Sequence, residues 1–188
     1  MSDRQSGSSA WKVTSEEIVH DSPWMKLAVA QVAMPDGRIV EHRIVRYPAP
    51  SAGVLVHDRA AATVLMIWRE RFITGHAGWE IPVGLTNDGE DPREAAIREG
   101  VEETGYRASE LTKLVEADMS SGLMDERFHA YYSRSWEKVG VGDSAEAESI
   151  RWVPVASLCD LVRDGQIQSA HSMLAVLAAV NLRVIDAA

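Results

Sequence analysis

Residues 84–106 constrain the fold of this chain more than any other stretch. Asp91 and Pro92 form a helix start, because a carboxylate can cap free backbone N–H groups and proline suits the first helical turn. The pattern predicts a helix over residues 93–104, and Gly105 is the residue expected just past its end. A short, capped, acidic helix is therefore expected near the middle of the chain.

Three glutamates of this helix are predicted to share one face. Glu99 and Glu103 are four residues apart, and Glu102 is three residues from Glu99. Carboxylates held that close raise one another's pKa, and a divalent cation removes the conflict. Hard oxygen ligands of this kind suit Mg²⁺ or Mn²⁺, which bind through few carboxylates together with substrate phosphates.

The acidic helix is part of a longer pattern with fixed spacing. Its members are Gly84, Glu90, Arg98, Glu99, Glu102, Glu103 and Gly105. A solvated acidic helix, the ordinary interpretation of such a charge run, does not account for this spacing. The pattern resembles the Nudix box, the signature of hydrolases that cut diphosphates linked to another moiety. The resemblance implies metal ligation by Glu99, Glu102 and Glu103, supported by Glu90 and a backbone carbonyl near Gly84. It also implies that Arg98 orients the glutamates by ion pairing.

The opposite face of the helix is expected to seat it on a sheet. Ala95, Ile97, Val101 and Thr104 form an imperfect apolar stripe there. Gly100 departs from the family pattern, which usually has a large aliphatic residue at this position. A glycine in the middle of a helix costs about 1 kcal/mol against alanine. We expect Gly100 to affect local stability rather than activity.

The order of predicted elements also resembles the Nudix fold, an α/β/α sandwich with a mixed sheet, preceded here by an N-terminal antiparallel β extension. Residues 48–51 look like a break between two parts. We predict strands over residues 11–19, 25–33, 38–45, 52–57, 63–69, 79–83, 111–117, 127–132 and 150–153, and helices over residues 155–163 and 170–184. The domain prediction is a disordered lead-in at 1–10, an N-terminal β region at 11–47 and a Nudix hydrolase domain at 52–186.

The N-terminal region extends the resemblance to the branch that hydrolyses ADP-ribose and related nucleoside diphosphate sugars. In that branch such strands commonly take part in dimerisation, which implies a homodimer. The implied reaction is metal-dependent hydrolysis of the diphosphate bond to a nucleoside monophosphate and a sugar phosphate. One alternative is a housecleaning hydrolase for another dinucleotide or a nucleoside triphosphate. Another is a non-catalytic nucleotide sensor, although sensors typically have a degraded box.

Substrate contacts are implied outside the box. Arg71 matches an arginine of the branch that contacts substrate phosphate, and the alternative is a surface salt bridge. The resemblance also assigns Arg46 and Glu126 to the substrate. Ser121 stands where the branch has proline in a Ser-Pro-Gly motif. Because serine leaves that loop looser than proline would, we expect a site that accepts more than one diphosphate sugar.

The catalytic base is expected on a glycine-containing loop over residues 139–148. Glu146 aligns best with the family's base and Glu148 is second. The box glutamates, Glu103 among them, remain alternatives, because members of the family that this chain resembles differ in which carboxylate acts as base.

Charge and composition limit the partners. The formal net charge of this 188-residue chain is −9, and no basic stretch is present to neutralise nucleic-acid phosphates. An acidic protein that binds an anionic diphosphate needs a cation between the two. We expect a cytoplasmic protein, because Cys159 is the single cysteine and neither a signal peptide nor an apolar run long enough to span a membrane is visible.

Overall fold

The computed structural model describes residues 10–143 and 149–186, which divide into two compact units. The first unit consists of the chain up to Pro48 together with Ser120–Glu126. The second consists of Ala49–Met119 and the chain from Arg127 onward. The division falls within the break that the sequence indicates at residues 48–51.

Seven strands precede the first helix along the chain, five strands follow it, and two helices end the described part. The strands are β1 (Lys12–Asp21), β2 (Lys26–Ala33), β3 (Ile39–Arg46), β4 (Ser51–Asp58), β5 (Thr63–Arg71), β6 (His76–Glu80), β7 (Val83–Leu85), β8 (Tyr106–Ser109), β9 (Thr112–Asp118), β10 (Arg127–Ser133), β11 (Ser135–Lys138) and β12 (Ser149–Pro154). The helices are α1 (Pro92–Thr104), α2 (Leu158–Arg163) and α3 (Ala170–Asn181), with a single 3₁₀ turn at Val155–Ser157.

The first unit is a three-stranded antiparallel sheet in the order β1-β2-β3. The central strand β2 buries Ala28 and Ala30 completely, whereas every residue of β1 is exposed. The segment Ser120–Glu126 is attached to β3, since the N–H of Val45 donates to the carbonyl of Leu123 at 2.8 Å.

The second unit is built on a mixed sheet. Among the described residues this sheet has seven strands, in the order β12-β5-β4-β10-β9, with β6 paired to β5 and β7 paired to β4. Strands β4 and β10 run parallel and the other neighbours are antiparallel. Strands β8 and β11 form a separate antiparallel pair.

Helices cover both faces of the mixed sheet, and the alternation of side chains along β4 shows why. Ala52, Val54 and Val56 face α1 and pack with Ala95 and Ala96 of that helix. The intervening Leu55 faces the other side, where the apolar residues of α2 and α3 pack against it. Since seven of its eight residues are buried, β4 is a central strand covered on two sides. The predicted α/β/α sandwich with an N-terminal β extension is confirmed.

Helix α1 has the predicted caps. The side chain of Asp91 accepts from the N–H of Arg93 at 2.8 Å, and Gly105 adopts φ +73°, the left-handed conformation that favours glycine. Its buried face differs from the predicted stripe. Ala96 and Gly100 are buried, whereas Ile97 and Val101 are only half-buried, because the neighbouring strands β4, β7 and β8 determine which face is covered.

Two short strands, β8 and β11, were not predicted from the sequence. The single strand predicted over residues 79–83 is wrong, because β6 ends at Glu80 and a separate strand, β7, begins at Val83 and pairs with a different neighbour. The other predicted strands and helices are present within a few residues of their expected bounds. None of the described helices has the length and apolar character needed to cross a bilayer.

Candidate active site

The acidic helix α1 packs next to β7. Two buried residues, Ile81 and Pro82, connect β6 to β7. Gly84 in the middle of β7 is paired with Ala52 of β4. The carboxylate of Glu99 lies against the backbone of Gly84, so closely that a Cβ on Gly84 would come within 2.1 Å of it. Glycine makes room for the carboxylate here, because any Cβ would require the Glu99 side chain to move away.

Arg98 connects the box carboxylates. Its Nη1 donates to Glu99 at 2.6 Å and to Glu102 at 3.0 Å. Its Nε and Nη2 donate to the two oxygens of Glu90, both at 2.9 Å, and Nη2 also donates to the carbonyl of Leu85 at 2.9 Å. This single guanidinium therefore ties together α1, β7 and the loop that precedes the helix.

Glu90 is held as a carboxylate on that loop. It accepts from Arg98 and from the N–H of Asn87 at 2.8 Å. These hydrogen bonds, chiefly those from Arg98, lower the pKa of Glu90 to about 2. The Arg98 guanidinium also has its pKa raised further above its usual value, with the bond to Glu90 as the largest cause.

Glu103 differs from the other two helix glutamates because it points into the protein. Its side chain is 2% exposed and accepts from Nη2 of Arg69 at 2.7 Å and from the N–H of Val83 at 3.2 Å. Burial raises the pKa of Glu103 to about 7, while Arg69 opposes that shift. Glu99 is nearly buried and Glu102 is more than half exposed.

The predicted convergence of three carboxylates is thus incomplete. Within residues 10–143 and 149–186, no group of three or more His, Cys, Asp or Glu side chains is placed as a ready-made metal site. Glu99 and Glu102 do meet at one nitrogen of Arg98, whereas Glu103 turns to Arg69. The two guanidinium groups offset part of the charge of these carboxylates. The donor set consists of carboxylate oxygens beside an open glycine backbone, which fits a hard divalent cation.

Arg69 was not singled out from the sequence. It lies on β5, 34 residues from Glu103, and its side chain is only 11% exposed. A charged residue that continues an apolar strand is a signal of a buried ion pair, since buried charges are paired. The partner could not be found from spacing, because strand pairing brings the two residues together.

The predicted substrate residue Arg71 lies two residues further along β5. Its guanidinium makes two hydrogen bonds to Glu80, a carboxylate that is itself buried. This is the salt bridge that the sequence left open as the alternative to a phosphate contact. The phosphate contact stays a prediction.

Arg46, Ser121 and Glu126 all belong to the first unit. Arg46 donates to Glu16 at 2.6 Å and to Asp125 at 3.2 Å, and these hydrogen bonds, chiefly those to Glu16, raise its pKa further. Ser121 is exposed in a turn and Glu126 is buried. The structure therefore places the three on one unit, and their roles toward substrate stay predictions.

Glu146 and Glu148 lie outside the described residues, but the chain on either side of them is anchored beside α1. The N–H of Asp143 donates to the carbonyl of Glu102 at 2.9 Å. On the other side, Ser149 pairs with Trp68, the neighbour of Arg69. A Cβ on Gly142 would come within 2.3 Å of the carbonyl of Glu103, so the chain before the gap packs directly on the last turn of the helix.

Comparison with known families agrees with this geometry. Residues 47–175 match the family profile described as NUDIX domain, and residues 11–45 match the profile described as nucleoside diphosphate sugar hydrolase N-terminal domain. The chain therefore belongs to the Nudix family and is a Nudix pyrophosphohydrolase. Members of this family generally use a divalent metal ion.

The relatives of this chain are named for different hydrolase activities. A CMP-5'-(N-acetyl-N-hydroxy-3-aminopropyl)phosphonate hydrolase of Streptomyces rubellomurinus is 36% identical over 173 residues, which are 92% of this chain and 83% of the relative. An ADP-ribose pyrophosphatase of Mycobacterium tuberculosis is 31% identical over 172 residues, 89% of this chain and 82% of the relative. A GDP-mannose pyrophosphatase of Klebsiella pneumoniae is 31% identical over 155 residues, 77% and 78% of the two chains.

A solved structure supports the fold. The crystal structure of an ADP compounds hydrolase superposes with a TM-score of 0.75 and covers 95% of this chain and 97% of that chain. At 20% sequence identity, this likeness concerns the architecture alone.

Proposed function

We propose that this chain hydrolyses the diphosphate bond of ADP-ribose and related nucleoside diphosphate sugars, giving a nucleoside monophosphate and a sugar phosphate. The observation that carries the proposal is the joint match of residues 11–45 and 47–175 to the two profiles, with the box residues assembled around Arg98. The names of the Mycobacterium tuberculosis and Klebsiella pneumoniae relatives support the substrate class.

Each box residue has a part in this proposal. Glu99, Glu102 and Glu103 hold a divalent cation, with Glu90 and the backbone at Gly84 in support. When bound, the cation neutralises the bridging phosphate oxygens and makes water a better nucleophile. Arg98 fixes the directions of Glu90 and Glu99, so that the carboxylates are aligned before substrate arrives.

Glu146, with Glu148 as second choice, is the proposed base that takes the proton from the attacking water. The anchoring of Asp143 at Glu102 and of Ser149 beside Arg69 supports this assignment, because both flanking segments are fixed near the acidic helix. Glu103 remains the alternative base.

A homodimer through the N-terminal sheet is also proposed. Strand β1 is exposed along its whole length, and its apolar residues Val13, Ile18 and Val19 are each between 43% and 52% exposed. Exposed apolar side chains on an edge strand favour an interface with another chain. Sedimentation at micromolar concentration tests this, and a monomer would contradict it.

A substrate panel tests the activity. Purified protein is assayed with Mg²⁺ or Mn²⁺, and with EDTA, against ADP-ribose, ADP-glucose, GDP-mannose, NADH, diadenosine polyphosphates and nucleoside triphosphates. We expect metal-dependent release of phosphomonoesters from ADP-ribose and at least one other diphosphate sugar. Turnover confined to triphosphates or dinucleotides would overturn the substrate assignment.

A second candidate follows from the Streptomyces rubellomurinus relative, whose name describes a CMP-linked phosphonate as substrate. The same box chemistry applies to a mixed phosphate–phosphonate anhydride, because the attacked bridge is again between two phosphorus centres. Adding a CMP-linked phosphonate to the panel separates the two candidates: a kcat/KM well above that for every diphosphate sugar favours the second.

A further inference from the structure

A cavity lies within the second unit at the end of β4 away from Gly84. Ala52 of β4 is paired with Gly84, and His57 is five residues further along the strand, roughly 16 Å away at the usual rise per residue. The cavity has a volume of about 510 Å³, in the range of small-molecule sites. A neighbouring hollow of about 380 Å³ shares four of its lining residues.

The rim of this cavity is cationic. Arg59, Arg134 and Arg183 line it, and all three are exposed. Over the ranges that the structure describes, none of the three forms an ion pair with a carboxylate, although Asp186 also lies on the rim. Three guanidinium groups without an ion-pair partner in the described ranges are unexpected around one cavity in a chain with a net charge of −9, and Asp186 offsets part of their charge.

The backbone around the cavity is unusual as well. In the described part of the chain, three residues other than glycine have a positive φ: Ala62 at 50°, Glu110 at 52° and Arg183 at 57°. Ala62 and Arg183 line the cavity and Glu110 lines the neighbouring hollow. This conformation is unfavourable for residues with a Cβ, and such residues cluster where ligands are held.

The polar side chains at the floor of the cavity are buried and hydrogen-bonded within the protein. The hydroxyl of Tyr132 donates to the carbonyl of Val184 at 3.0 Å, and Nδ1 of His57 lies 2.8 Å from the same hydroxyl oxygen. Because the hydroxyl has one hydrogen and a carbonyl can only accept, Nδ1 of His57 is the donor to Tyr132. Val155 and Ile185 add buried apolar surface. The arginines on the rim are therefore the groups left to bind a ligand.

We propose that this cavity binds a small phosphorylated anion, at a site separate from the catalytic helix. A guanidinium presents a planar fork of donors that matches two phosphate oxygens. Arg59 and Arg134 both line the cavity and the neighbouring hollow, so they border the same space. The apolar floor has room for the organic part of a phosphomonoester, whereas inorganic phosphate or pyrophosphate would occupy the rim alone.

Isothermal titration calorimetry in EDTA tests the proposal with the full chain. The probes are inorganic phosphate, pyrophosphate and adenosine monophosphate. With cations removed, the carboxylates of α1 repel these anions, so binding at the catalytic site is suppressed. The variants are Arg59→Gln, Arg134→Gln and their combination. Arg163→Gln is the matched control, because it removes the same charge from an exposed side chain that does not line the cavity.

We expect one-site binding of at least one probe, about tenfold weaker in each cavity variant and unchanged in Arg163→Gln. Tighter binding of adenosine monophosphate than of pyrophosphate would assign the site to organic phosphates, and the reverse order would assign it to free anions. Absence of saturable binding overturns the proposal, as does equal weakening by Arg163→Gln. Thermal melts of each variant verify that the chain is folded.

Discussion

The carboxylate of Glu103 and the guanidinium of Arg69 lie 2.7 Å apart in a region that water barely reaches, with side-chain exposures of 2% and 11%. The pair joins α1 to β5, and a second contact from the N–H of Val83 joins both to β7. One glutamate of the box is therefore fixed inside the protein before any ligand arrives, while Glu102 of the same helix is more than half exposed and contacts Arg98 at the surface.

Removing the charge of Glu103 should abolish turnover without unfolding the protein. In Glu103→Gln the amide oxygen can still accept from Arg69, while the hydrogen bond from the N–H of Val83 is lost because the amide NH2 only donates. We expect the fold to be retained, but an anionic ligand is lost. We expect kcat to fall by about a hundredfold or more. The exposed Glu94 of the first turn gives the control, since Glu94→Gln removes the same charge elsewhere on the helix. Turnover near that of the natural chain, with intact circular dichroism, would rule out the assigned role.

Removing the partner should instead destabilise the fold. Arg69→Met leaves the carboxylate of Glu103 buried without its cation, which we expect to lower the free energy of unfolding by about 3 kcal/mol. Adding Glu103→Gln should recover part of the loss, because the uncompensated charge is gone. Urea unfolding of the single and double variants measures this, and additive losses would show that the two residues are independent.

Gly84→Ala should weaken metal binding more than folding. The new Cβ would lie 2.1 Å from the Glu99 carboxylate, which is the end of a flexible side chain and can move away. Displacing a ligand in this way should raise the Mg²⁺ concentration for half-maximal turnover by about tenfold or more. Titration of activity with Mg²⁺ measures the shift. An unchanged titration would mean that the position of Glu99 is unimportant.

Gly100→Ala is the control for Gly84→Ala, since it adds the same methyl group at a glycine away from the Glu99 carboxylate. We expect this substitution to stabilise the fold. A Cβ there would meet the carbonyl of Tyr106 at 3.4 Å and a methyl group of Val54 at 3.5 Å, which are ordinary contacts. We expect a gain of up to about 1 kcal/mol from helix propensity, with kcat and the Mg²⁺ dependence unchanged. A loss of stability on urea unfolding would show that the helix lies too close to β4 for any side chain.

His57 should make the folded state less stable at acid pH than at neutral pH. Burial lowers its pKa in the folded state, so below the unfolded value of about 6.5 the unfolded chain binds more protons. The free energy of unfolding should therefore fall as the pH drops from 6.5 toward the folded pKa. Comparing urea unfolding at neutral and acid pH in the natural chain and in His57→Gln isolates this contribution, because His129 titrates in both. An equal pH dependence in the two proteins would contradict it.

Local sequence signals predicted the parts of this protein that depend on neighbours along the chain. The cap at Asp91, the left-handed Gly105 and the shared face of Glu99 and Glu102 all follow from spacing within one helix. The ion pair between Arg69 and Glu103 could not be predicted in this way, because strand pairing brings them together from 34 residues apart.

The same limit applies to the missed strands and to the buried face of α1. Strands β8 and β11 have four residues each and pair with each other although they are distant in sequence. Ile97 is more apolar than Gly100, yet Gly100 is the buried residue, because the position of the sheet decides which side of a helix is covered.

The hydrogen bonds of Arg98 to Glu90, Glu99 and Glu102 mean that the protein itself supplies part of the positive charge that offsets this cluster of carboxylates. We therefore expect the cluster to assemble before an inorganic cation arrives. Since a cation that binds the folded chain adds to its stability, metal starvation should stop turnover while lowering the free energy of unfolding only by what cation binding contributed.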